Sequence, residues 1–100
     1  MTNSDLGFIS ELERIIHGRL QNPTEQSYTA KLAAAGTQRI AQKVGEEGVE
    51  LALAAVSGDR DEIIDEAADL VYHLLVLLAE RSLSLDEVAA RLHSRHAKAE

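Results

Sequence analysis

The chain has no cysteine, one proline, and aromatic residues at only 3% of its length. Each shortage excludes something. Without cysteine there is neither a disulfide nor a thiolate metal site, which fits a reducing compartment. One proline and six glycines exclude low-complexity disorder. So few aromatics leave Leu, Ile, Val and Ala to build the core. Basic residues are also scarce: ten Lys and Arg against seventeen Asp and Glu give a net charge of −7. A nucleic-acid surface needs clustered Lys and Arg, so no nucleic-acid partner is expected. No apolar run approaches the roughly 18 residues of a membrane span, the longest being interrupted at His73. The N-terminus lacks a basic segment followed by an apolar one, the mark of a secretory signal. The expectation is a soluble, cytoplasmic protein with no membrane partner.

What remains is rich in Ala, Leu and Glu, and 45% of residues are apolar. That composition with few helix breakers predicts an all-α chain, and 100 residues predict one domain spanning 1–100. Phe8, Ile9, Leu12, Ile15, Ile16 and Leu20 recur at helical spacing, with Ser4 or Asp5 as cap and Asn22-Pro23 as stop. Ser27-Tyr28-Thr29-Ala30-Lys31-Leu32 opens a short helix closed by Gly36. Thr37 is placed to cap a long helix reaching about Val56. Asp59-Arg60-Asp61-Glu62 has the form of a capping box, so the next helix runs from about Arg60 to about Arg81. Its second half, Leu70 to Ala79, is apolar almost all round and needs cover on every side, which predicts a homodimer through that segment. Ser84-Leu85-Asp86-Glu87 is a second capping box for a last helix through Leu92, after which the polar tail from His93 is expected to fray.

The chemistry concentrates between Lys43 and Asp69. Glu47/Glu50 and Glu66/Asp69 are pairs of acids three residues apart, a spacing that puts both members on one helix face. The pairs are symmetric about Gly58: Glu47 and Asp69 are equally far from it, as are Glu50 and Glu66. In a long antiparallel helical hairpin turning at Gly58, all four carboxylates come level, roughly 12–17 Å from the turn. Glu46 faces Glu50 and Glu62 faces Glu66, so the acids lack the basic partners that a solvated helix face usually shows four residues on. Leu53 and Ala54 fall in the same arc. Carboxylates gathered this way repel, and a hard divalent cation such as Mg²⁺ is the simplest counter-charge.

Other features carry less. Gly45 and Gly48 flank the acids, either for close helix packing or to leave room for a ligand. His93 and His96 read as surface residues of the tail, and His73 as a hydrogen-bonded core histidine at the end of the acidic stripe. Lys31, Arg39 and Lys43 are the basic residues nearest the acids in sequence; they are salt-bridge partners or phosphate contacts, and spacing does not separate the two roles.

Glu46-Glu47-Gly48-Val49-Glu50 followed by Glu66-Ala67-Ala68-Asp69 resembles the Glu-Glu-x-x-Glu…Glu-x-x-Asp signature of the all-α, MazG-like nucleoside triphosphate pyrophosphohydrolases. Adding Ser27 to Leu32, Gln42 to Glu47, and the run from Glu66 to Leu78, the chain from about Phe8 to His96 is similar to the phosphoribosyl-ATP pyrophosphohydrolases of histidine biosynthesis. It departs at Gly48, where that family is expected to have alanine, and the acids stay in place. The resemblance implies Mg²⁺-dependent hydrolysis of the α–β phosphoanhydride of phosphoribosyl-ATP, giving phosphoribosyl-AMP and pyrophosphate. It implies Glu47, Glu50, Glu66 and Asp69 as metal ligands and Glu46 as the acid that orients or deprotonates water. Lys31 and Lys43 become substrate-phosphate contacts, with Tyr28 beside them. The family also occurs fused to phosphoribosyl-AMP cyclohydrolase; this sequence has no such second domain and none of its cysteines, so the free-standing form is the expectation. Two other functions compete: a MazG-like pyrophosphohydrolase for other (d)NTPs, and a non-catalytic helical dimerisation module with an acidic face.

Overall fold

A computed structural model describes residues 4–99, which form five helices and no strand. They are α1 (Leu6–Gln21), α2 (Tyr28–Ala34), α3 (Thr37–Ser57), α4 (Arg60–Glu80) and α5 (Leu85–Ala99). No helix among the described residues is long and apolar enough to cross a membrane.

The helix ends follow local chemistry, with three departures from expectation. At α1, Asp5 occupies the cap position without a side-chain bond, while the Ser4 hydroxyl accepts from the Leu6 N–H at 3.1 Å. The helix stops where expected, because a residue before proline is pushed out of the α region; Asn22 has φ −128° and ψ 70°. Ser27 caps α2, its hydroxyl accepting from the Ala30 N–H at 3.0 Å.

The second departure is at α3. Gly36 takes the cap position with φ +99°, a backbone that L side chains rarely adopt, and Thr37 is the first helical residue. The Thr37 hydroxyl instead donates to Glu80 Oε1 at 2.7 Å, tying the start of α3 to the end of α4. Gly58, at φ +84°, ends α3 in the left-handed region. Asp59 then caps α4, accepting from the Glu62 N–H at 3.2 Å. In the Ser84 box both bonds form: Ser84 N–H donates to Glu87 Oε2 at 2.8 Å and Glu87 N–H to Ser84 Oγ at 3.3 Å. Third, α5 does not stop at Leu92 but continues to Ala99. Its last turns are exposed yet made of good helix formers, and His96 and Lys98 complement the negative end of the helix dipole.

The core lies at the end of the α3–α4 pair away from Gly58. Ile16 of α1, Leu32 of α2, Ile40 of α3, and Leu75, Val76 and Ala79 of α4 form one buried cluster, flanked by Leu12, Val71 and Leu85. Every residue from Leu70 to Ala79 is buried or half-buried within one chain. Much of the cover that the apolar run called for in a partner is thus supplied by α1, α2 and α3. The large apolar residues left exposed lie outside that run and include Leu6, Phe8 and Ile64 around an apolar recess of about 710 Å³ between α1 and α4, and Val49, Leu53 and Val56 along α3.

Candidate functional site

The acids stand midway along α3 and in the first half of α4. Glu47, Glu66 and Asp69 each offer an oxygen to a group whose members all lie within 4.8 Å of one another. These three come from both helices and differ in burial: Glu47 is buried, Glu66 half-buried, Asp69 exposed. Glu47 Oε2 and Glu66 Oε2 are buried with no hydrogen-bond partner. Unpartnered oxygens of that kind are costly unless something binds them.

Glu50 is exposed and lies outside that group of three, but it reaches Glu66. A hydrogen bond between two carboxyl groups requires one of them to hold a proton. That bond, then burial, then the charges of Glu50, Asp69 and Glu47 push the Glu66 carboxyl up from 4.5 to about 7. The site is thus over-supplied with negative charge, and its donor set is entirely hard oxygen. Those orphaned oxygens fit a divalent cation of the Mg²⁺ type.

Lys43 answers one question that spacing left open. Its ammonium sits 3.9 Å from Glu46 Oε1 and 3.7 Å from Glu47 Oε1, so it pairs with acids of its own helix. The partner missing four residues on is found three and four residues back. Glu46 points to the outer side of α3, where Gln42 Nε2 donates to its Oε2 at 3.1 Å, and its side chain is exposed. Lys31 is an exposed residue of α2 that forms no ion pair among the described residues, and Arg39 is likewise exposed. A β-carbon at Gly45 or Gly48 would meet nothing within 4 Å, so close packing within the chain is not what places glycine there.

His73 and Tyr28 form a link that spacing did not reveal. His73 is buried, as expected of a hydrogen-bonded core histidine. Its Nδ1 lies 2.9 Å from the Asp69 carbonyl oxygen, which only accepts, so Nδ1 carries the proton. Nε2 then accepts from the Tyr28 hydroxyl at 3.0 Å. Nδ1 is also 3.9 Å from Glu47 Oε1. The Tyr72 ring stands edge-on to His73 at 5.3 Å, and its hydroxyl bonds Thr29 of α2. Both tyrosines of the chain thus fasten α2 beside the acids. The sequence signal available was the four-residue step from Asp69 to His73; the 45 residues separating Tyr28 from His73 carry none.

A family model described as phosphoribosyl-ATP pyrophosphohydrolase matches residues 9–96. The chain belongs to that family. The resemblance drawn from the wider match over about Phe8 to His96 is borne out. Within the phosphoribosyl-ATP pyrophosphohydrolase family, relatives in curated collections of proteins are named histidine biosynthesis bifunctional protein HisIE. The one from Photobacterium profundum is 55% identical over 93% of this chain and 45% of its own length. That from Campylobacter jejuni is 55% identical over 94% of this chain and 45% of its own. That from Pasteurella multocida is 58% identical over 97% of this chain and 48% of its own. The chain therefore spans about half the length of these relatives.

Proposed function

We propose that this chain hydrolyses the α–β phosphoanhydride of phosphoribosyl-ATP to phosphoribosyl-AMP and pyrophosphate, the second step of histidine biosynthesis. The observation that carries the chemistry is the meeting of three carboxylates from two helices, two of them with buried, unpartnered oxygens. The family match carries the substrate. Glu47, Glu66 and Asp69 would hold Mg²⁺, with Glu50 completing the set through its contact with Glu66. When bound, the ion offsets the repulsion among these acids and the charge of triphosphate oxygens.

The chain's own residues do the rest. Glu46, exposed at the edge of the site, orients or deprotonates the water that attacks phosphorus; the α–β bond breaks and pyrophosphate leaves with its electrons. Lys43, held beside Glu46 and Glu47, and Lys31 of α2 face the substrate's phosphates. Tyr28 offers a half-exposed ring while its hydroxyl is engaged by His73. Glu46→Gln is expected to lower turnover about 10²–10⁴-fold with Mg²⁺ affinity little changed. Calorimetry beside a turnover assay checks this, and a Glu46→Gln protein that fails to bind Mg²⁺ makes Glu46 a ligand instead.

The reading extends to assembly and place. α3 and α4 form a long antiparallel hairpin within a single domain of 1–100, a cytoplasmic protein that pairs as a homodimer. Supporting the hairpin are the Thr37–Glu80 bond at one end and the two-residue connection at the other. The exposed apolar residues of α1, α3 and α4 support the dimer, and sedimentation at micromolar concentration tests it. The names of the bifunctional relatives support a working link to the phosphoribosyl-AMP cyclohydrolase reaction. Pyrophosphate release from phosphoribosyl-ATP, with and without Mg²⁺, tests the function; turnover of dNTPs without phosphoribosyl-ATP would replace it by the other MazG-like reading.

A further inference from the structure

We infer that His73 positions Glu47: braced by Tyr28 of α2 and by the Asp69 carbonyl, its Nδ1 edge joins Lys43 in holding one carboxylate oxygen, so that the other is left turned to the cation. The inference rests on the metal reading of the acidic cluster. It starts from an asymmetry within one side chain. Glu47 Oε1 lies 3.7 Å from the Lys43 ammonium and 3.9 Å from His73 Nδ1, whereas Glu47 Oε2 is buried and has no partner. A buried carboxylate free to rotate about its last bond would exchange those oxygens. The Lys43 ammonium and the electropositive Nδ1 edge of His73, whose proton goes to the Asp69 carbonyl, bias that rotation through space by favouring one oxygen on their side.

His73 can do this only if its ring is fixed, and both ring nitrogens are occupied. The Asp69 carbonyl takes the Nδ1 proton at 2.9 Å and thereby sets the tautomer. The Tyr28 hydroxyl donates to Nε2 at 3.0 Å, and Tyr72 closes the ring's face edge-on at 5.3 Å. Asp69 thus contributes twice: its carboxylate to the acidic group and its carbonyl to the histidine that orients Glu47. Tyr28 sits at the first position of α2, immediately after the Ser27 cap. A displacement of α2 would therefore reach Glu47 through two hydrogen-bonded side chains. Tyr28 acts here through its hydroxyl, independently of any contact its ring makes with a nucleotide.

Three substitutions separate this role from packing. His73→Asn keeps a donor near the place of Nδ1 and loses the bond to Tyr28; His73→Gln keeps a polar group near Nε2 and loses the Nδ1 contacts. Tyr28→Phe removes one hydroxyl and leaves the imidazole in place. The readouts are Mn²⁺ affinity by calorimetry on the protein alone, the melting temperature without metal, and kcat and KM on phosphoribosyl-ATP. His73→Gln is expected to weaken Mn²⁺ binding about 10–100-fold, His73→Asn less, and Tyr28→Phe, which loses only the brace on Nε2, least but measurably. Equal losses in His73→Asn and His73→Gln, following the loss of melting temperature, would make His73 a packing residue and overturn the inference. So would wild-type Mn²⁺ affinity in Tyr28→Phe, the variant that keeps the ring and hence the fold. A wild type that binds no Mn²⁺ overturns the metal reading with it; a wild type that binds while His73→Gln is indifferent overturns the positioning role alone.

Discussion

The two halves of α4 share a helix and little else. From Leu70 onward it is buried against Ile16, Leu32 and Ile40, and its one polar buried residue, His73, has both ring nitrogens bonded. Before Leu70 it carries Glu62, Glu66 and Asp69, leaves Ile64 exposed, and faces α3 with an oxygen that nothing satisfies. The contrast divides labour. The C-terminal half stabilises the fold by apolar burial. The N-terminal half holds like charges that would rather be apart, an arrangement kept in place by the packing of the other half. His73 stands at the boundary and touches both.

The contrast can be broken most strongly from the apolar side. Leu75 is fully buried in the core cluster. Leu75→Ala should cost about 2–5 kcal/mol of stability, read from urea denaturation, while Mn²⁺ affinity of the folded protein stays near wild type. A loss of cation affinity equal to that of an acid-to-amide change would show that the halves are not separate.

On the acidic side the sign reverses. Below about pH 4.5 the Glu66 carboxyl is protonated in folded and unfolded chains alike. Between about 4.5 and about 7 only the folded chain keeps the proton, so this group's contribution to stability is lost as pH rises through that window. As far as Glu66 decides, metal-free protein should therefore melt lower at pH 8 than at pH 4.5, and Glu66→Gln should flatten the dependence. Melting curves across pH without metal check it.

The smallest effect is expected at the end of the α3–α4 pair away from Gly58. Thr37→Val removes the bond to Glu80 and should cost about 1 kcal/mol, with turnover unchanged.

Much of this division was legible in the sequence. Caps at Ser27, Asp59 and Ser84 set three helix starts, because each is a local bond between residues three apart. The meeting of Glu47, Glu66 and Asp69 followed from helical period and the symmetry about Gly58. Differences among equally spaced acids did not follow. Nothing in the spacing says that Glu47 is buried and Glu50 exposed, since burial depends on how α2 and α4 lie over α3. Thr37 was misread because Gly36 takes the cap position and the Thr37 hydroxyl bonds a distant partner, Glu80, that spacing does not reveal. The end of α5 was misread because polarity was taken for fraying, whereas an exposed helix needs only good formers and a favourable charge at its end.

The central claim is that folding gathers the acids into a site completed by a divalent cation. The melting temperature of wild type and of Glu47→Gln, with and without Mg²⁺, tests it most directly. A ligand that binds only the folded chain adds about 2.7 kcal/mol at 100 times its Kd, and roughly 4–8 °C accompanies each kcal/mol in a domain of this size. Wild type should therefore gain about 10 °C or more in saturating Mg²⁺, and Glu47→Gln only a fraction of that. Equal gains in both proteins would place the ion elsewhere, and no gain in wild type would contradict the account.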